Sequence, residues 1–124
     1  MNDDSLLHRQ VHPSWVQGDR VTSQTFKPTP KDKHRLSVYN GEMIGASAAW
    51  EHFTSEGHTS VGVLSVTPGE CREHDLKVDV DGTPFPEHVS IHFEGVSGNQ
   101  IEKRAKKLRT QALARGWSFR AQPA

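Results

Sequence analysis

The segment His88-Val89-Ser90-Ile91-His92-Phe93 changes its hydrophobic period within a few residues of its end. Over those six residues Val89, Ile91 and Phe93 alternate with His88, Ser90 and His92, the period-two pattern of a strand with one apolar face. From Ser97 the period lengthens: Ile101, Ala105, Leu108 and Ala112 recur at helical spacing and Gly116 stops the run. A strand leading directly into a long amphipathic helix, with Ser97 as its cap, predicts a helix laid across a sheet face.

Working back toward the N-terminus, the other elements are shorter. Leu6–Val11 has strand length and ends at His12-Pro13, where proline cannot donate to a ladder. Val21–Phe26 alternates weakly. Residues 27–33 hold two prolines and four charges and predict a loop, while Leu36–Tyr39 alternates and runs into the turn dipeptide Asn40-Gly41. Ala46–Glu56 places Ala46, Ala49, Trp50 and Phe53 at helical spacing, with Gly57 just beyond as a stop. Ser60–Val66 is apolar on both faces, as a doubly covered strand would be. Thr67-Pro68-Gly69-Glu70 spells a capping box with proline at the first helical position, so Pro68–His74 reads as a helix of one or two turns. Lys77–Val80 is strand-like, and Trp117–Ala121 completes the set. Consecutive strands without crossover helices favour α+β: a single compact domain over residues 1–124, mostly antiparallel, with two short helices and one long C-terminal amphipathic helix. Residues 1–4 are expected to fray.

Composition narrows the class. The chain has 124 residues, 15 Lys and Arg against 15 Asp and Glu, one cysteine and eight histidines. Leu, Ile, Val and Phe make up about 21% of it, a lean core for a chain that nonetheless carries no net charge. Folding must therefore draw on Trp15, Trp50, Trp117 and some of the histidines. A homodimer would relieve the shortage, though no pattern specifies one. The lone Cys71 excludes an internal disulfide framework, no apolar run reaches membrane-span length, and Met-Asn-Asp-Asp carries no leader-like pattern. The expectation is a soluble, cytoplasmic protein.

Charge is unevenly placed. Residues 1–96 carry 8 basic and 14 acidic side chains, whereas residues 97–124 carry 7 basic and 1 acidic. Lys103, Arg104, Lys106, Lys107 and Arg109 fall opposite the apolar stripe of the last helix, forming a ridge that suits an acidic protein surface or nucleic acid. No recognition-helix, RNP or zinc-finger signature accompanies it. The first expectation for function is thus an accessory or regulatory module that binds an acidic macromolecule through this ridge, needing no cofactor. The stretch 27–35 adds a second basic cluster on irregular backbone.

Histidine is the side chain best suited to proton transfer near neutral pH, so its abundance invites a search for clusters. His88 and His92 share a strand face but stand roughly 13 Å apart, too far to chelate one ion together. No metal site is expected. His58-Thr59-Ser60-Val61 and His88-Val89-Ser90-Ile91 both fit histidine, any residue, hydroxyl, apolar, and resemble the paired motifs of the two-histidine phosphoesterases. That resemblance implies an acid and a base from the histidines and phosphate held by the hydroxyls.

Leu7-His8-Arg9, Leu36-Ser37-Val38-Tyr39, the Ala46–Phe53 helix and the Val61–Val66 strand follow one another in an order that resembles small ADP-ribosyltransferase-like and RES-type toxin domains. By that resemblance Arg9 would hold NAD, Ser37 and Tyr39 would shape the nicotinamide pocket, and Glu87 or Glu94 would polarise the ribose, with the His88/Ser90/His92 face nearby. The second expectation is therefore a small NAD-using, nucleotide-handling enzyme with Arg9, Ser37, Tyr39 and His88 as candidate catalytic residues. His8–Pro13, Ser23–Pro28 and Leu36–Val38 are also similar to a pattern of short uncharacterised bacterial proteins.

Overall fold

A computed structural model describes residues 1–28 and 34–121. Eight strands and three α-helices follow in order: β1 (Leu7–Val11), β2 (Val16–Gln17), β3 (Arg20–Val21), β4 (Arg35–Asn40), α1 (Ala46–Ser55), β5 (Gly62–Val66), α2 (Pro68–Glu73), β6 (Lys77–Asp79), β7 (His88–His92), α3 (Gly98–Arg115) and β8 (Phe119–Arg120). Six strands form one wholly antiparallel sheet in the order β6-β7-β4-β1-β5-β8, and β2 with β3 make a separate ribbon. The α+β class read from the sequence is the observed one. The part of the predicted 27–33 loop at 29–33 lies outside the described residues.

One sheet face carries the core. Leu7, Val11, Leu36, Val38, Val89, Ile91, Leu64 and Val66 are buried there with Ala105, Leu108 and Ala112 of α3. The strand alternation and the 3.6-residue stripe thus meet as their periods require. Burial on both sides of β5 has a simple cause: α3 packs on one face of it and α1 on the other. Thr67 Oγ1 accepts from Glu70 N at 3.1 Å and Glu70 Oε1 accepts from Thr67 N at 2.9 Å, completing the capping box of α2, a device worth about 1 kcal/mol. Gly57, at φ +88°, follows α1 in the left-handed region its position requires. Gly41 N donates to Leu6 O at 2.7 Å, and a Cβ at Gly41 would collide with that carbonyl.

Two segments differ from expectation. Residues 23–26 form a 3-10 turn, not an alternating strand, with Ser23, Thr25 and Phe26 buried and the turn packed against α3. The first four residues are bonded to their surroundings: Asp3 O accepts from Gly69 N at 3.1 Å, the Asp3 carboxylate pairs with Arg72, and the Met1 amino group lies 3.2 Å from Glu42.

His8 is buried behind the sheet, with Nδ1 2.7 Å from Ser65 Oγ, which is in turn 2.6 Å from Ser118 Oγ. Burial pushes its pKa below 6.5, and hydrogen bonding to the Ile44 backbone offsets this only in part. The unfolded chain therefore takes up this proton first, so the contribution of His8 is complete above about pH 6.5 and is lost as pH falls toward the lower folded value. Thermal melts of the parent and of His8→Gln between pH 7.5 and 5.5 should show the steeper fall in the parent. Equal slopes would remove His8 as the cause.

Candidate active site

A helix about 10 Å across covers roughly two strands spaced 4.8 Å apart. On the face opposite α3, α1 lies over β1 and β5, and the β4/β7 half of that face forms the floor of a cavity of about 470 Å³. Its remaining wall is the loop between β6 and β7, with Pro84, which follows a cis peptide bond, and Phe85. Arg9, Ser37, Tyr39 and His88, named from the sequence, all line this one cavity.

The antiparallel register puts Tyr39 opposite His88 and Ser37 opposite Ser90, so Ser37 and His88 are diagonal neighbours on one face. His88 Nε2 lies 3.1 Å from Ser37 Oγ, and His88 Nδ1 lies 2.6 Å from Asp81 Oδ1. Asp81 Oδ2 accepts from Ser90 Oγ at 2.7 Å. Burial alone would raise the Asp81 pKa, but the bonds from His88 and Ser90, with the His88 charge, outweigh it and hold the carboxyl below its ordinary range. An ionised Asp81 only accepts, so Nδ1 of His88 carries a proton and Nε2 faces the Ser37 hydroxyl. This is the hydrogen-bond order of a hydroxyl activated by an oriented imidazole. Ser37 is solvent-exposed, while His88 and Ser90 are buried.

A second chain stands beside it. Tyr39 Oη lies 2.8 Å from His52 Nδ1, and His52 Nε2 lies 3.8 Å from Glu56 Oε1. Burial, with the charges of Glu56 and Glu87, pushes the Tyr39 phenol up to about 12, so it stays protonated at neutral pH. Phe85 sits between the two chains, 5.0 Å from the Tyr39 ring in a stacked arrangement, 4.8 Å from His52 and 5.3 Å from His88. The result is an aromatic cluster beside two hydrogen-bonded chains.

Arg9 enters from the edge of the cavity. The β1–β4 ladder pairs Leu7 with Asn40 and His8 with Tyr39; beyond these, Arg9 Nη1 donates to Ser37 O at 2.9 Å and Nε to Thr25 O at 2.8 Å. The guanidinium thus bridges the two strands and brings a fixed positive charge to the backbone of Ser37.

Other expected residues lie elsewhere. His12 accepts from Ser14 N at 3.0 Å in a 3-10 turn, and His92 Nε2 is 3.4 Å from Asp79; neither lines the cavity. Glu87 and Glu94 do not line it either, and the carboxylate that does is Glu56. His58 and His88 both line it, yet the hydroxyls of their tetrapeptides are engaged internally, Ser60 donating to Gly62 O and Ser90 to Asp81. On α3, Lys103, Lys106 and Lys107 are exposed and Arg104 and Arg109 half-buried. Lys106 is 4.0 Å from Glu102, a carboxyl held below its usual range by hydrogen bonds from Lys27 and Ser23. Lys103, Arg104 and Lys107 share a groove with Glu73 and Asp75, which dilutes the field of the ridge.

His52 and Glu56 carried a readable signal, an i, i+4 pair on a predicted helix. Asp81 carried none, since a loop brings it to His88. Among the described residues, no three His, Cys, Asp or Glu side chains gather as a metal site would require, and no helix is long and apolar enough to cross a membrane. Comparison with protein-family models, curated proteins and solved structures finds no match to this chain.

Proposed function

We propose that this protein is a small nucleotide-handling enzyme in which His88, oriented by Asp81, takes the proton of the Ser37 hydroxyl or of a substrate hydroxyl in its place. The observation that carries this reading is the Ser37–His88–Asp81 chain, 3.1 and 2.6 Å long, opening on a cavity of small-ligand size. Arg9 brings positive charge to the cavity for a phosphate, and the stacked Phe85–Tyr39 pair offers an aromatic wall to a planar ring. NAD, the ligand implied by the resemblance to ADP-ribosyltransferase-like and RES-type domains, is one candidate of this chemistry. The binding-module reading has less support, because the ridge of α3 faces acidic neighbours of its own chain.

The test is incubation with NAD, ADP-ribose, and cyclic and linear mononucleotides at millimolar concentration, followed by chromatography of products and by melting curves. Turnover of at least one class is expected, reduced about 100-fold or more in His88→Gln and unchanged in Lys103→Glu/Lys107→Glu. Neither turnover nor thermal shift with any of them would overturn the reading.

A further inference from the structure

Gln10 is a polar residue of the cavity that the two hydrogen-bonded chains leave unused. It is 5% exposed, it lines the cavity, and neither Oε1 nor Nε2 of its side chain has a hydrogen-bond partner. Buried carboxamides without partners are uncommon, because both the donor and the acceptor have given up water for nothing. The other such atom among the described residues, Thr25 Oγ1, lies outside the cavity lining. The β1–β4 ladder ends at His8 opposite Tyr39, and Gln10, two residues further along β1, shares the sheet face of His8, Tyr39 and Ser37 and lines the same cavity as Ser37. An unsatisfied donor–acceptor pair therefore lines the same cavity as Ser37, His88 and Phe85.

We propose that Gln10 is a specificity-determining residue whose carboxamide pairs with the donor–acceptor edge of a nucleobase held in this cavity. The inference rests on the nucleotide reading above and adds to it the part of the ligand that is recognised. A carboxamide offers one donor and one acceptor side by side, and the edges of adenine and uracil present the complement, as in bidentate amide–base pairs elsewhere. Sites built on such buried pairs reject analogues that lack the partner far more strongly than apolar pockets do.

The experiment is calorimetric titration of the full chain with adenosine 5′-monophosphate, uridine 5′-monophosphate and purine riboside 5′-monophosphate, the last of which stacks like adenosine but has no exocyclic amine. The parent is expected to bind one of the first two at least about tenfold more tightly than the purine riboside compound. In Gln10→Met, which keeps the length of the side chain and removes its polar atoms, that preference should fall to within about twofold. The melting temperature of unliganded Gln10→Met should rise, since a buried orphan has been removed. A parent without preference, a preference that survives the substitution, or a lowered melting temperature in a variant that still binds would each overturn the role of Gln10 while leaving the nucleotide reading standing. Failure of all three compounds to bind the parent would overturn the role of Gln10, and absence of turnover and thermal shift with NAD, ADP-ribose and cyclic nucleotides as well would overturn both.

Discussion

Asp81→Asn is expected to lower turnover by about two to four orders of magnitude with little change in KM. Asp81 meets two donors with two oxygens, His88 Nδ1–H and Ser90 Oγ–H. A carboxamide keeps one acceptor and no charge, so the ring loses the anion that stabilises it once it has taken a proton from Ser37. In the proposed reading Arg9, Phe85 and Tyr39 hold the ligand and the substitution touches none of them, which is why the loss should appear in kcat. The same substitution tests the stability linkage. The folded pKa of Asp81 is depressed, so its contribution is present above about pH 4 and lost as pH falls through the folded value; the variant should lack that acid limb. Steady-state kinetics alongside circular dichroism decide the matter, and a folded variant retaining a third of parental kcat would remove Asp81 and His88 from the chemistry.

Phe26→Ala carries the largest expected loss of stability. Phe26 is 0% exposed, among the largest fully buried side chains, and its 3-10 turn packs against α3. Truncating such a ring removes its transfer free energy and leaves a cavity, at a cost of about 3–5 kcal/mol. Domains of this size have roughly 5–15 kcal/mol in total, so melting should fall by about 10–20 °C. A denaturant titration giving less than about 1 kcal/mol would mean that the space collapses around α3.

Regular elements were legible in the chain where one period dominated. β7, α3, the capping box of α2 and the doubly buried β5 follow from spacing and cap chemistry. The turn at Ser23–Phe26 was not, because its burial comes from packing beneath α3 and not from any local period. At the site, Arg9, Ser37, Tyr39 and His88 were each marked by weak patterns, and the fold brings them together. Asp81 escaped notice because a loop of several residues sets its distance to His88. Gln10 escaped because a polar residue on a strand reads as solvent-facing; only the placement of α1 over β1 buries it.

The short β1–β4 pairing divides the sheet into two leaves, β6-β7-β4 and β1-β5-β8, stitched by two residue pairs, by the Gly41 N–Leu6 O bond next to them and by the side chain of Arg9. Ser37, His88 and Asp81 travel with the first leaf, while Gln10 and the helix bearing His52 travel with the second. The Ser37 hydroxyl and the Gln10 amide thus line one cavity from the two sides of this junction. A molecule touching both would act as a staple across the halves, so tight binding and a stiffened sheet are, in this architecture, a single event.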